Sequence, residues 1–158
     1  MRALLSIRPP FAHAIREGGK RFEFRRTTFS RQVDVVVVYV TAPVARVVGE
    51  FDVRAIISAP IADLWERTRQ GAGIDKPLFL DYFRGRTMGH AIEIGEFRTY
   101  RRPYCPMAKL GKRPPQSFTY LGPASRKQPA PPGRHQSEPS STQASVCSRI
   151  TWQRSTRS

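Results

Sequence analysis

Acidic residues are scarce in this chain. Twelve Asp and Glu face 27 Lys and Arg over 158 residues, a formal charge of +15. That excess makes polyanions the first partners to consider. Cysteine is scarcer still. Cys105 and Cys147 form no CxxC pair and have no histidines at ligand spacing. A disulfide framework and a metal site are therefore not expected, and the compartment reads as reducing and cytoplasmic. Long hydrophobic runs are missing. The longest, Val35 to Val38 continued by Tyr39 and Val40, falls far short of the roughly 20 residues of a membrane helix. The opening MRALLSIRPP has no small-residue cleavage site after its apolar stretch, so no signal peptide is expected. No Ser-His-Asp set, HExxH or Walker-type loop occurs, which leaves protease, zinc-hydrolase and NTPase readings without support. No cofactor is expected.

What is present suits a small globular domain: 39% hydrophobic and 25% charged residues, in a length that carries a core without staples. The charge is uneven. Residues 1–32 carry 8 basic and 2 acidic residues, 33–83 carry 5 and 7, 84–121 carry 8 and 2, and 122–158 carry 6 and 1. If the first and third segments lie side by side, they form one positive face that attracts phosphate backbones. The alternative is compositional bias, since Arg outnumbers Lys 22 to 5.

Residues 122–158 hold 5 Pro, 8 Ser and 4 Gln with almost no apolar periodicity, and are expected to be a disordered basic tail. Residues 1–121 are expected to form the ordered domain. Ala3 to Arg8 reads as a strand stopped by Pro9-Pro10, and Phe11 to Glu17 as a short helix ended by Gly18-Gly19. Lys20 to Arg26 (KRFEFRR) alternates, with Phe22 and Phe24 on one face and Arg21, Glu23 and Arg25 on the other. That pattern predicts a half-exposed strand. Val33 to Thr41 predicts a strand buried on both faces. Val47 to Ser58 predicts a long strand with Gly49 at a bulge. Ile61 to Gln70 has helical spacing with Ile61, Leu64, Trp65 and Thr68 inward, and Lys76 to Phe83 reads as a further helix. Thr87 to Glu96 reads as a strand, 101–115 as a basic loop, and Gln116 to Leu121 as the closing strand. The sum is an α+β fold: a small, mixed but mostly antiparallel β-barrel with about three short helices.

These residues carry a family resemblance. The run LLSIRPPFAHAIREGGKRFEFRR resembles the opening of ASCH domains, of the PUA-like superfamily, with their pattern G-x-K-x-x-E-x-R falling on Gly18, Lys20, Glu23 and Arg25. VVVYVTAPVARVVGEFDV resembles the family's next hairpin. LWERTRQGAGI and LFLDYFRGRTMGHAIEI resemble the small prokaryotic and phage version, and PPQSFTYL its closing strand. The resemblance implies a cleft on a barrel that binds RNA or modified bases. Some family members are amidohydrolases on an acetylated cytidine, and others are described as ribonucleases. The amidohydrolase pattern has Lys at the place of Lys20 and Thr at the place of Glu23; this chain departs from it with Glu.

The candidate ligand-binding residues are Arg8, Lys20, Glu23, Arg25, Arg26, Thr41, Gln116 and Ser117, with Lys20 and Glu23 the catalytic pair if the protein is an enzyme. On a strand Glu23 and Arg25 share a face about 7 Å apart, while Lys20 has the opposite parity unless the glycines before it turn it round. Glu accepts from a base amine, and Arg offers a fork to phosphate. Phe22 and Tyr104 are candidates for base stacking. Three functions remain in view: RNA or single-stranded nucleic-acid recognition, with regulation as one use of it; a small hydrolase on the same fold; and binding of a metabolite or protein. Against all three stands an exposed ion-pair row of little energetic worth.

Overall fold

The structure is a computed structural model, and it describes residues 1–122. The expected disordered tail, residues 122–158, lies outside the described residues apart from Gly122, and so does Cys147.

The described residues form six strands and four α-helices in the order β1 (Arg2–Ile7), α1 (Pro9–Arg16), β2 (Phe22–Arg25), β3 (Val35–Val40), β4 (Arg46–Pro60), α2 (Ile61–Thr68), α3 (Lys76–Tyr82), β5 (Met88–Tyr104), α4 (Pro106–Leu110) and β6 (Phe118–Leu121). A 3-10 turn, Arg69–Gly71, follows α2. The strands form one sheet in the order β2-β5-β4-β3-β1-β6. β1 and β3 pair in parallel and the other pairs are antiparallel. The fold is α+β, as the sequence predicts.

The sequence patterns account for the elements. β3 is a β-branched run buried on both faces, with Val36, Val38 and Val40 in one apolar cluster and Val37 and Tyr39 in another. Pro9 and Pro10 occupy the first positions of α1, where a missing N–H costs nothing. Asp75 caps α3 by accepting from the Leu78 N–H. α2 and α3 bury Leu64, Phe79 and Phe83 against Phe22, Phe24 and Ala91 of the sheet. At Gly49 the β4–β5 register shifts. A Cβ there would come within 2.5 Å of the Arg98 carbonyl oxygen, so only glycine lets the strands approach this closely.

Three expectations are corrected. The sheet does not close into a barrel: β2 and β6 are edge strands that pair with β5 and β1 but not with each other. It is nevertheless strongly curled. β2 and β1 stand four strand positions apart, which is about 19 Å in a flat sheet, yet Arg25 of β2 donates to the Ser6 carbonyl of β1 at 2.7 Å. A seam therefore separates edges that face one another. Second, residues 101–115 are not all loop. β5 continues to Tyr104, and Pro106–Leu110 adds a fourth helix, ended by left-handed Gly111. Third, β2 is not half-exposed: all four of its residues are buried. Phe22 and Phe24 face the helices, and the curl brings β1 and the approach to β6 against the polar face.

Candidate functional site

The seam gathers Lys20, Glu23, Arg25 and Ser117. Lys20 precedes β2, so strand alternation does not govern its direction, and its Nζ lies 3.9 Å from Glu23 Oε2. Gly71 and Gly73 flank the carbonyl that anchors it. Lys20 Nζ donates to the Ala72 carbonyl at 2.9 Å, and Gly73, at φ +65°, lies so close that a Cβ would meet Lys20 Cβ at 2.5 Å. The ammonium faces the rings of Phe24 and Phe11, with Nζ 4.7 and 5.4 Å from their centroids.

Arg25 bridges the seam. Its Nη2 donates to Glu23 Oε1 at 3.0 Å and to the Ser6 carbonyl at 2.7 Å, and Nη1 reaches Ser117 Oγ at a long 3.4 Å. Ser6 ties the opposite wall together: its N–H donates to the Ser117 carbonyl and its hydroxyl to the Pro115 carbonyl. Lys20, Glu23 and Arg25 are 3%, 6% and 9% exposed. This rules out the exposed ion-pair row.

Two cations and one carboxylate leave this buried group with an excess positive charge when Lys20 is protonated. One donor is also left over, because Arg25 Nε is buried with no hydrogen-bond partner. Burial pushes the Lys20 amine below its ordinary value; Glu23 opposes this and Arg25 adds to it. Thr28 Oγ1, three residues after Arg25, is a second buried polar atom without a partner.

The other sequence candidates lie further out. Arg8 is exposed at the start of α1, its guanidinium 5.9 Å from the Phe11 ring that also faces Lys20. Arg26 is exposed and donates from Nε to the Tyr82 carbonyl at 2.7 Å, with its guanidinium 5.2 Å from that ring. Thr41 donates its N–H to the Ile7 carbonyl beside the cis Ala42–Pro43 bond. Gln116 is exposed next to Ser117. Among the described residues, neither Thr41 nor Gln116 bonds to the Lys20–Glu23–Arg25 row. Phe22 is buried among the helices, so it offers no stacking face. Among the described residues, no group of three or more His, Cys, Asp and Glu is placed to hold a metal ion, and no helix is long and apolar enough to cross a membrane.

Sequence reasoning missed four contributors: the Ser6 and Ala72 carbonyls, Gly73, and Tyr82. A backbone acceptor has no sequence signature. Tyr82 reads as a packing residue, and it is half-buried, yet its phenol feels both Arg25 and Glu23 and is pushed up mainly by burial.

A curled, open mixed sheet with short helices packed on it and a buried, cationic, incompletely satisfied seam defines a small α+β domain. The chain belongs to the ASCH family, whose domain model matches residues 5–109. An ASCH domain-containing ribonuclease from Zymomonas mobilis is 31% identical over 123 residues, covering 75% of this chain and 83% of that protein. The crystal structure of ASCH from Zymomonas mobilis superposes with a TM-score of 0.70 at 30% identity, over 77% of this chain and 87% of that one. Variants of that protein with one tyrosine changed to phenylalanine, or one serine changed to alanine, match at TM-scores of 0.70 and 0.69. The chain also matches, at 31% identity, 15% of an ATP synthase subunit alpha and 33% of a ribosomal protein uL22, both from Ureaplasma parvum. It thus spans a minor part of those two proteins.

Proposed function

We propose that this ASCH domain binds single-stranded RNA, with one phosphate and its neighbouring base taken at the Lys20–Glu23–Arg25 seam. One observation carries the reading: a buried row with two cations, one carboxylate and an unpartnered guanidinium N–H. Buried charge without a partner is costly, and a phosphate oxygen satisfies both the charge and the donor. Arg25 supplies the fork, and Glu23, which lies between Lys20 and Arg25, accepts from an exocyclic base amine. The ribonuclease name of the Zymomonas relative supports RNA as the polyanion. A regulatory role would follow from binding alone.

A second reading, RNA cleavage, is favoured by the lowered Lys20 pKa. A neutral Lys20 amine takes the proton of a 2′-hydroxyl, and the 2′-oxygen bonds to the adjacent phosphorus. The 5′-oxygen leaves with a proton from solvent, giving a cyclic phosphate, while Arg25 holds the developing charge. Hydrolysis of an acylated nucleoside is the reading that the family resemblance adds.

The test titrates the full chain with a labelled twelve-nucleotide single-stranded RNA at two salt concentrations, beside Arg25→Leu and Lys20→Met. The reaction is followed on a gel in the presence of a chelator. Arg25→Leu is expected to weaken binding about tenfold at both salts. Under the second reading, Lys20→Met abolishes product while binding changes only a few-fold. Equal binding by all three proteins, seen only at low salt, would mean a non-specific field and overturn the seam reading.

A further inference from the structure

The third basic segment of the chain lies largely outside the seam. Its placement follows from the β4–β5 register. Gly49 pairs with Thr99 and Val47 pairs with Tyr104, so β5 covers five residue steps where β4 covers two. The surplus chain forms a wide bulge that carries Arg101 and Arg102, both exposed. Bulges re-aim side chains and interrupt pairing. Here the bulge lifts two adjacent arginines out of the ladder.

α4 follows at once. Tyr104 is stacked on Tyr100, with centroids 5.7 Å apart and planes 19° apart, and Lys109 Nζ sits 4.4 Å from the Tyr104 ring. The aromatic pair, with Leu110, packs on the apolar cluster of Leu4, Val37 and Leu121, which anchors the helix that presents Lys109. Left-handed Gly111 then turns the chain to exposed Lys112 and Arg113. Two residues further on, the Pro115 carbonyl accepts from Ser6, and Ser117 meets Arg25. The path from bulge to seam is continuous.

No acidic residue occurs from Phe97 to Ser117. Arg98, at the start of this stretch, is held by Asp52 and Glu50. Arg101, Arg102, Lys112 and Arg113 have no carboxylate partner among the described residues. Charges left exposed and unpaired along one track suit a run of phosphates. Tyr104 is already occupied by Tyr100 and Lys109, so the track offers charge rather than a stacking platform.

We infer that Arg101 and Arg102 on the β5 bulge, with Lys109, Lys112 and Arg113 around α4, form a second, sequence-independent binding track for the phosphate backbone of RNA whose reading end lies in the seam. This rests on the proposed RNA reading. It gives the protein two functionally different parts: a buried site that selects and an exposed track that holds.

The test compares the full chain with R101S/R102S and with Arg25→Leu, each titrated against a trinucleotide and a twelve-nucleotide single-stranded RNA over a range of salt. The bulge variant is expected to bind the longer RNA about tenfold more weakly. Its log–log salt slope should be shallower by about 0.7 for each phosphate no longer neutralised, with trinucleotide binding unchanged. Arg25→Leu should weaken both ligands. If R101S/R102S keeps wild-type affinity and slope while Arg25→Leu loses both ligands, the track is overturned and the seam stands. If only the bulge variant loses affinity, the track stands and the seam reading fails. If wild type binds neither RNA, both fall.

Discussion

The molecule holds two charge networks on one curled sheet, and they are built differently. Away from the seam, Arg2 and Arg98 meet Glu50 and Asp52. Arg98 is bidentate to Asp52 at 2.6 and 2.7 Å, and Arg2 and the Tyr100 hydroxyl both donate to Glu50 Oε2, at 2.5 and 2.6 Å. Two cations meet Glu50 and Asp52 there, with Glu96 a longer contact 3.8 Å from Arg98, so no positive charge is in excess, and these side chains are partly solvated, which keeps the energetic stakes low. In the seam two cations share one carboxylate, all three are buried, and a guanidinium N–H is left over. The balanced network ties β1, β4 and β5 together. The unbalanced one buries an excess positive charge and an unpaired donor at a cost to stability, and the proposed ligand would supply what it lacks. Charge count and satisfaction, more than the presence of ion pairs, distinguish the two networks.

The comparison breaks first at its carboxylates. Glu23→Ala strands two buried cations and should cost about 3–5 kcal/mol of unfolding free energy. Glu50→Ala, in the partly solvated network, should cost about 1 kcal/mol. Urea denaturation of both variants decides it, and equal losses would remove the distinction. Excess phosphate should recover part of the Glu23→Ala loss by binding the native state, and none of the Glu50→Ala loss.

A sharper test uses pH. Lys20 holds its proton less tightly when folded than when unfolded. Between the lowered folded value and the ordinary 10.5, the unfolded chain carries more protons, so stability rises with pH across that window. Below the window the buried charge exerts its full destabilising effect. The stability of wild type relative to Lys20→Met should therefore climb with pH, by at most about 1.4 kcal/mol per unit. A flat difference would show that Lys20 titrates as an exposed lysine and would remove the main support for cleavage.

The smallest effect belongs to the balanced network. Tyr100→Phe deletes the hydrogen bond to Glu50 and a long one from Arg2 and should cost about 0.5 kcal/mol, with seam binding of a trinucleotide unchanged. A drop in RNA affinity in that variant would mean the two networks are coupled.

Much of this architecture is legible in local patterns. The valine run of β3, the helical spacing of Leu64 and Thr68, the proline start of α1 and the bulge at Gly49 all follow from periodicity and sterics acting between chain neighbours. The resemblance carried by the Gly18–Arg25 stretch likewise names the family whose domain model matches residues 5–109. The alternation of KRFEFRR correctly separates Phe22 and Phe24 from Glu23 and Arg25. It does not say what covers each face, and that is where the expectation of a half-exposed strand fails. Lys20 misleads for a related reason: it stands before the strand, where a turn and the closely packed Gly73 set its direction.

The amino-acid sequence by itself determined most of the elements, though not α4 or the full length of β5, together with their apolar faces, the excess of positive charge and the family. The tertiary structure decided which charges are buried, which are paired and which remain free. Periodicity reports interactions over a few residues, whereas burial and pairing arise between segments far apart in the chain. Ser6 meets Arg25 only because the sheet curls through four strand spacings. Ala72 meets Lys20 only because the linker between α2 and α3 folds back over the start of β2. Desolvation of the seam, and with it the chemistry proposed for Lys20 and Arg25, is a property of that closure.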